Sequence, residues 1–299
     1  MTESDLLALL RTLPLHPGAR DLRDDAAVVS GLVLTTDTLV EGVHFLDRDP
    51  PADVAWKLLA VNLSDLAAKG AEPEGALLNY PLRDPDWDRA FFAGLRDALA
   101  AYACPLIGGD TVSLPAGAPR VLTLTALGRN AAAPARGGAR AGDALWVTGP
   151  IGDAGAGLAI TRGEPGPPEL LAAYRRPAPR LAEGRLLAPH VHAMSDVSDG
   201  LLIDAARMAE ASGLAVSLDL GCVPLSSAYA AFRGDTRAGR LAAVTAGDDY
   251  QLLFDAPPGL APPVPAARLG AFAPGAGLSL TCAGDPVPLP SRLGYEHGG

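Results

Sequence analysis

Residues 51–70 read PADVAWKLLAVNLSDLAAKG, and they limit the fold more than any other part of the chain. Pro51 stands just before a predicted helix, Asp53 is a candidate cap, and Gly70 lies just past the helix end, as is usual at helix boundaries. The apolar residues that form a stripe at helical spacing are Val54, Leu58, Val61, Leu63 and Leu66. Asn62 and Asp65 share another face. The sequence therefore predicts a long helix with an apolar stripe and a separate polar face.

Shorter helices and strands are predicted on both sides of this helix. The predicted helices cover residues 4–13, 87–102, 169–173, 180–188 and 200–212, and the predicted strands cover 26–29, 32–36, 76–80, 105–107, 121–127, 144–148, 215–220 and 250–255. We expect two further short strands near the C-terminus. This mixture indicates an α/β or α+β protein with mixed sheets. The turn-rich stretch 130–138, NAAAPARGG, predicts a boundary between domains 1–137 and 138–299.

Composition excludes several classes of protein. The net charge of −10 argues against binding nucleic acid through the phosphate backbone. No apolar run reaches the length of a membrane span without Pro or Gly, and the acidic N-terminus has no export signal. The three cysteines, at 104, 222 and 282, form neither a metal-ligand pair nor a disulfide framework. We therefore expect a soluble cytoplasmic protein.

One pattern recurs three times: a short apolar strand, then small or hydroxyl residues, then Asp. It occurs at 34–37 (LTTD), 106–110 (LIGGD) and 193–199 (AMSDVSD), and ligands of α/β sheets bind beyond such strand ends. Each Asp alone is also consistent with a helix cap or an Asx turn. If these carboxylates converge with Asp25 and Asp65, cations must offset their repulsion. Carboxylates without His or Cys favour Mg²⁺, particularly when phosphates complete its coordination.

The common phosphate-binding loops are absent from the sequence. No Gly-x-x-x-x-Gly-Lys-Ser/Thr motif occurs, and neither of the two lysines, Lys57 and Lys69, follows a glycine. The stretch 149–157, GPIGDAGAG, lies between a predicted strand and a predicted helix but does not match the dinucleotide fingerprint. Its glycines are equally consistent with a ligand loop and with close packing.

A series of motifs resembles the thiamine-monophosphate kinases. The matching segments are 24–26 (DDA), 35–45 (TTDTLVEGVHF), 57–71 (KLLAVNLSDLAAKGA), 107–111 (IGGDT), 147–149 (VTG), 152–159 (GDAGAGLA), 195–202 (SDVSDGLL) and 247–250 (GDDY). They keep the family's order and extend from about Asp24 to Tyr295. The resemblance implies the two-domain fold of aminoimidazole ribonucleotide synthetase, with an N-terminal α/β domain that pairs across a homodimer and a C-terminal α+β domain that closes the cleft. It also implies that ATP and thiamine monophosphate are the substrates.

The family's functional residues map onto this sequence position by position. The resemblance places magnesium ligands at Asp25, Thr35, Thr36, Asp37, Asp65, Asp110, Asp196 and Asp199. It places ATP contacts at Phe92, Gly109, Asp110, Arg136 and Ser198, and substrate contacts at His44, Asp248 and Tyr295. Asp37, Asp65 and Asp110 are the predicted catalytic residues.

Two segments depart from the family pattern, and two alternative functions stay open. Residues 21–24 read DLRD where the family has glycines, and residues 248–251 read DDYQ where the family has Glu-Asp-Tyr-Glu. One alternative is another enzyme of the same superfamily, although no cysteine precedes Cys104 and the C-terminus lacks a Cys motif. The other alternative is a non-catalytic sensor of nucleotide or thiamine phosphate.

Overall fold

A computed structural model describes residues 2–296. Its α-helices are α1 (Glu3–Leu10), α2 (Pro51–Ala68), α3 (Pro85–Ala101), α4 (Asp153–Thr161), α5 (Pro168–Arg175), α6 (Leu181–Leu187), α7 (Leu201–Ala211), α8 (Ser227–Arg233) and α9 (Arg237–Thr245). Its strands are β1 (Ala27–Val29), β2 (Leu32–Val40), β3 (Glu72–Leu82), β4 (Leu106–Ser113), β5 (Val121–Arg129), β6 (Ala144–Val147), β7 (Met194–Asp196), β8 (Ala215–Asp219), β9 (Leu252–Ala256), β10 (Ala267–Ala273), β11 (Gly277–Cys282) and β12 (Asp285–Val287). Two 3-10 helices cover Pro17–Leu22 and Leu220–Cys222.

The N-terminal half is a five-stranded sheet with the strand order β1-β2-β5-β3-β4. β3 and β4 are parallel, and the other neighbours are antiparallel. Alternate residues of the central strands, such as Leu122 and Leu124, are buried in one core with α2 and α3. The opposite face of the sheet is open, since Thr36, Leu77 and Asn79 on it are exposed. Side chains alternate across a strand, so the two faces carry different residues.

The C-terminal half is a seven-stranded sheet with the order β12-β11-β8-β10-β6-β9-β7. β8 and β11 are parallel, and the remaining pairs are antiparallel. Its core joins the sheet to α7 through Leu201, Leu202 and Met208. Both halves therefore combine a mixed sheet with helices, which confirms the predicted α/β (α+β) fold class.

Helix α2 is buried from both sides. Thirteen of its eighteen residues are buried, including the polar residues Asn62 and Ser64. Its last turn joins a small core with Leu187 of α6 and Phe254 of β9. The approach of α6 is very close, because a Cβ atom at Gly184 would lie 2.0 Å from the carbonyl oxygen of Ala67. The predicted polar face of this helix does not face solvent: Asn62 is buried, and both Asn62 and Asp65 accept hydrogen bonds from β2.

Several predicted element boundaries need correction. Pro51 is the first residue of α2 rather than its predecessor, and no side chain caps the helix. Pro50 and Pro51 have no N–H groups that would need a cap, and the carboxylate of Asp53 pairs with Arg176 instead. Helices α8 and α9 were not predicted, although Ser226 and Thr236 cap them through their side chains. The C-terminal region contains three strands rather than two.

The glycine-rich stretch 149–157 leads into α4, which packs against α5. A Cβ atom at Gly157 would lie 2.1 Å from the carbonyl oxygen of Leu170. This contact favours the close-packing interpretation for that glycine. Among residues 2–296, none of the helices combines the length and the apolarity needed to cross a membrane.

Candidate active site

Three predicted magnesium ligands meet at the junction of the two halves. Carboxylate oxygens of Asp25, Asp65 and Asp196 lie within 4.8 Å of one another. Asp25 precedes β1, Asp65 lies on α2, and Asp196 ends β7, so three distant parts of the chain supply them. We call these three residues the acid cluster. The convergence that the sequence required for a metal site is present at these positions.

Helix α2 holds the acid cluster together through its polar residues. Ser64 donates a hydrogen bond of 2.5 Å to Asp196 on β7, and the hydroxyl of Thr35 on β2 donates to Asp65. The side-chain oxygen of Asn62 accepts from the backbone N–H of Asp37 at 3.1 Å. These bonds join the helix to β2 on one side and to β7 on the other, so the polar residues of α2 fix the distance between the two halves.

Burial and mutual repulsion disfavour the charged forms of these carboxyls. Burial raises the pKa of Asp65 and Asp196 well above the usual value, and neighbouring carboxylates raise it further. Burial, followed by the charges of Asp25 and Asp199, raises the pKa of Asp37 to about 6. The carboxyl of Asp37 therefore lies within electrostatic reach of the acid cluster, and that of Asp199 lies within reach of Asp37. A site of this kind favours a bound cation.

Asp25 is the exception, because two cations flank it. Lys69 lies 2.5 Å from Asp24 and 2.7 Å from Asp25, and Arg136 pairs with Asp25 as well. Burial alone would raise the pKa of Asp25, but Arg136 and Lys69 outweigh it and hold the pKa at about 2. Lys69 is fully buried and also donates to the carbonyl of Met194 on β7 at 2.9 Å. Lys69 was not among the residues that the sequence predicted for the site.

The loop between β7 and α7 presents Ser198 and Asp199. Asp204 organises this loop, because its carboxylate accepts from the backbone N–H groups of Ser198, Asp199 and Gly200 at 3.1 to 3.2 Å. Arg207 pairs with Asp199 at 2.5 Å. Sequence reasoning missed Asp204 and Arg207. An acidic residue in the first turn of α7 was the signal for Asp204, because such residues often accept from N–H groups at a helix start.

The predicted substrate residues His44 and Asp248 both contact Lys57. Lys57 on α2 lies 2.6 Å from the carboxylate of Asp248 and donates to the carbonyl of His44 at 3.2 Å. The hydroxyl of Tyr250 donates to Asp248 at 3.0 Å, so the carboxylate has two fixed partners. Tyr295, the third predicted substrate residue, is 45% exposed, and its backbone N–H donates to the carbonyl of Asp199 at 2.9 Å. It therefore lies beside Asp199, next to the loop between β7 and α7.

Other predicted residues lie away from the acid cluster. The hydroxyl of Thr36 donates to the carbonyl of Leu124 and accepts from Thr125 on the open face, so it points away from Asp65. Gly109 and Asp110 lie on β4, at the exposed edge of the sheet. The register runs from Asp37 through β5 and β3 to Gly109. Three strand spacings separate them, or roughly 14 Å.

Phe92 lies further along this same edge, on α3. It is 39% exposed, and its ring centroid lies 4.6 Å from that of Tyr80. It lines a cavity of about 610 Å³ together with Leu82, Arg83 and Arg96, among others. Within this chain, the predicted ATP contacts therefore fall in two places: Arg136 and Ser198 at the acid cluster, and Phe92, Gly109 and Asp110 at the sheet edge.

Both halves of the chain match models of one protein family. Residues 23–130 match "AIR synthase related protein, N-terminal domain", and residues 140–259 match "AIR synthase related protein, C-terminal domain". The thiamine-monophosphate kinase of Caulobacter vibrioides is 40% identical over 99% of this chain and 91% of its own length.

Solved structures of thiamine-monophosphate kinases are also similar to this chain. The protein AaThiL, solved in complex with AMPPCP and TMP, has a TM-score of 0.87 and 30% identity, with 99% of this chain and 97% of that chain covered. The thiamine-monophosphate kinase of Stenotrophomonas maltophilia has a TM-score of 0.77 and 34% identity, with 95% and 96% covered.

Proposed function

Since this chain belongs to the thiamine-monophosphate kinases, within the AIR synthase related family, we propose that it phosphorylates thiamine monophosphate with ATP. The products are ADP and thiamine diphosphate. AMPPCP is an analogue of ATP, so the complex of AaThiL with AMPPCP and TMP holds the same pair of substrates that we assign here. The observation that carries the proposal is the acid cluster of Asp25, Asp65 and Asp196 at the junction of the two halves.

The acid cluster fits Mg²⁺. Its donors are all carboxylate oxygens, and two of them belong to groups whose pKa burial raises, so a cation is needed to keep them ionised near neutral pH. We infer that Asp25, Asp65 and Asp196 hold Mg²⁺, with Asp37 and Asp199 close by. Mg²⁺ held by these carboxylates would supply positive charge to offset the negative charge on the phosphates during phosphoryl transfer.

The protein's own residues have to position two anions rather than activate a nucleophile. The second pKa of a phosphate monoester is about 6, so the phosphate of thiamine monophosphate is already an anion at neutral pH and needs no general base. An in-line attack on the γ-phosphorus then depends on alignment. We assign Arg136 and Ser198 to the nucleotide phosphates, and His44, Asp248 and Tyr295 to thiamine monophosphate. Lys57 holds the carboxylate of Asp248 in place.

A direct assay tests this function. Purified protein is incubated with ATP, Mg²⁺ and thiamine monophosphate, and the products are separated by chromatography, with EDTA as the metal-free control. We expect thiamine diphosphate and ADP in equal amounts, and a loss on the order of 100-fold or more in Asp65→Asn with an unchanged circular dichroism spectrum. Folded protein that binds ATP but forms no thiamine diphosphate would contradict the kinase assignment and favour a sensor.

We also propose that the chain acts as a homodimer. The edge strand β4 is exposed along its whole length, and it presents Leu106, Ile107 and Val112 to solvent. The adjacent open face adds Leu77, which is 39% exposed. Unpaired edge strands with apolar side chains are sites of association. A second copy placed here would bring its own Asp110 and Phe92 towards a neighbouring acid cluster, which accounts for their distance from the cluster of their own chain.

Mixing two inactive variants tests this shared site. If Asp110 serves the partner's site, a heterodimer of Asp65→Asn and Asp110→Asn chains contains one site with both aspartates intact. An equal mixture, exchanged through mild denaturant and refolded, then regains about a quarter of wild-type activity, because half of the dimers are mixed and each has one active site. Mixtures that stay inactive although mixed dimers form would show that Asp110 acts within its own chain.

Two further assignments complete the proposal. We place the domain boundary between residues 137 and 138, in the turn-rich stretch that precedes β6. We also place the enzyme in the cytoplasm, as the composition suggests. The departure at Gln251 has contacts outside the acid cluster. Gln251 accepts hydrogen bonds from Thr148 at 3.0 Å and Arg180 at 2.9 Å, so its role is to join neighbouring segments.

A further inference from the structure

A second group of potential ligands lies in the C-terminal half, apart from the acid cluster. It consists of Asp143 just before β6, His192 just before β7, and Asp255 on β9. Nδ1 of His192 lies 2.8 Å from Oδ2 of Asp143 and 3.4 Å from Oδ2 of Asp255. Both carboxylates are buried, whereas the imidazole side chain is 23% exposed. The group is therefore enclosed on the protein side and accessible past the imidazole.

The hydrogen bonds of this group leave one buried oxygen without a donor. Oδ1 of Asp255 accepts from the backbone N–H groups of His192 at 2.7 Å and Ala193 at 2.8 Å. Nδ1 of His192 can carry only one hydrogen, and its nearest acceptor is Asp143, which also accepts from the N–H of Arg140. Oδ2 of Asp255 is fully buried and receives no hydrogen bond. Two buried carboxyl groups thus face a single imidazole, and unless Asp143 and Asp255 share a proton in a hydrogen bond between them, this arrangement lacks positive charge.

We propose that Asp143, His192 and Asp255 bind a divalent transition-metal ion of the Zn²⁺ type, with water as the fourth ligand. Ligand bonds of about 2.1 Å in a tetrahedral site place the donor atoms roughly 3.4 Å apart. The two distances from Nδ1, 2.8 and 3.4 Å, need little adjustment to reach that value. An imidazole with two carboxylates favours Zn²⁺ or a similar ion, whereas Mg²⁺ prefers an all-oxygen set such as the acid cluster.

The ion would have a structural role in this place. It would join the segment before β7 to the start of β6 and to β9, which are neighbours in the order β6-β9-β7. β7 ends at Asp196, a member of the acid cluster. The ion would therefore stabilise the strand that carries this residue without contacting the substrates. The inference does not depend on the proposed kinase activity.

Cobalt(II) is a suitable probe, because a tetrahedral site gives it intense visible absorption. Full-length protein is freed of metal with EDTA, exchanged into buffer and titrated with Co²⁺, and Zn²⁺ is then added as a competitor. We expect one Co²⁺ per chain with intense absorption that Zn²⁺ abolishes. His192→Ala should weaken binding at least about 10-fold. His190→Ala changes an exposed histidine in the same segment and should bind Co²⁺ normally.

Two further variants make the result decisive. Asp65→Asn removes a carboxylate of the acid cluster and should retain the absorption, which separates the two sites. Asp255→Asn keeps an oxygen for the two backbone N–H groups and should lose the absorption while remaining folded by circular dichroism. Wild-type protein that binds no Co²⁺ here would mean that a proton shared by the two carboxyls neutralises the group, and the proposal would be wrong. Unchanged absorption in His192→Ala would also contradict the proposal, because His192 would then not be a ligand.

Discussion

At the scale of single residues, the two lysines of the chain connect its N-terminal and C-terminal halves. Lys57 lies on α2 and Lys69 directly follows its last residue. Each side chain crosses to the C-terminal half, Lys57 to Asp248 and Lys69 to the carbonyl of Met194. Lys69 also neutralises Asp24 and Asp25. A buried charge of this kind is costly unless its partners are all in place. Each lysine therefore links the fold to the residues proposed to bind metal or substrate.

Replacing Lys69 with Met tests this link. The change leaves Asp24 paired with Arg20 alone and Asp25 paired with Arg136 alone. We expect the free energy of unfolding to fall by about 3 kcal/mol, the lower end of the range for breaking a buried ion pair. Urea denaturation followed by circular dichroism measures it. Arg185→Ala on the exposed side of α6 is the control, with an expected change within about 0.5 kcal/mol. A loss below about 1 kcal/mol in Lys69→Met would show that the remaining arginines suffice.

How far the sequence predicts the site depends on whether the signal is local. Asp25, Asp65 and Asp196 were predicted as ligands from the family resemblance, which agreed with their places ahead of a strand, on a strongly periodic helix and at a strand end. The resemblance placed Thr35 and Thr36 together as ligands, but side chains alternate across β2, so Thr35 contacts Asp65 whereas Thr36 faces the open side of the sheet. The partners of Asp25 were beyond prediction, because Lys69 and Arg136 approach it only in the folded chain.

At the scale of elements, α2 decides how the two halves meet. The bounds of α2 were predicted to within two residues, because the periodicity of apolar residues is a local signal. Its burial on both sides was not predictable from periodicity, since the second contact comes from α6 and β7, which lie more than a hundred residues further along the chain. The helices α8 and α9 were missed because their local sequence signals are weak. They are short, and their caps stood in a segment rich in Ala, Gly and Arg without a clear apolar stripe.

The close contact between α6 and α2 can be tested by a substitution at Gly184. In Gly184→Ala the new methyl group would meet the backbone of Ala67, whose carbonyl oxygen would lie 2.0 Å away. Helix propensity alone would make this change stabilising by up to about 1 kcal/mol. We expect the clash to dominate and to reduce the free energy of unfolding by about 1 to 3 kcal/mol. Ala182→Gly, at an exposed position of the same helix, should cost only the propensity difference of about 1 kcal/mol. A stabilised Gly184→Ala protein would show that α6 can move away from α2 at little cost.

At the scale of the whole molecule, charge is distributed unevenly. The chain has a net charge of −10, yet it is proposed to bind two phosphorylated substrates. Its cations are therefore placed locally, with Lys69 and Arg136 beside Asp25. The acid cluster still has more carboxylates than cations, and the surplus is the part of the site that we assign to Mg²⁺. The metal-free protein should then become less stable as the pH rises, because its surplus buried carboxyls lose their protons.

The sign of that dependence follows from the raised pKa values. Burial raises the pKa of Asp37 to about 6 and the pKa values of Asp204 and Asp255 to about 7. It also raises the pKa values of Asp65 and Asp196 well above the usual value. In this range the folded state holds more protons than the unfolded state, so stability is lost as pH rises through the folded pKa values. Asp25, with a pKa near 2, acts oppositely but only in more acidic solution.

We therefore expect the EDTA-treated protein to melt at a lower temperature at pH 8 than at pH 5.5. Each carboxyl that stays protonated contributes a slope of about 1.4 kcal/mol per pH unit within its own range. Mg²⁺ binds the ionised carboxylates, so its addition should raise the melting temperature at pH 8 far more than at pH 5.5. Differential scanning calorimetry at both pH values, with and without Mg²⁺, measures this. In Asp65→Asn, which removes one titrating carboxyl, the pH dependence and the effect of Mg²⁺ should both shrink. A metal-free protein that becomes more stable towards pH 8 would mean that these carboxyls are ionised without a metal, and the need for a cation at the acid cluster would then disappear.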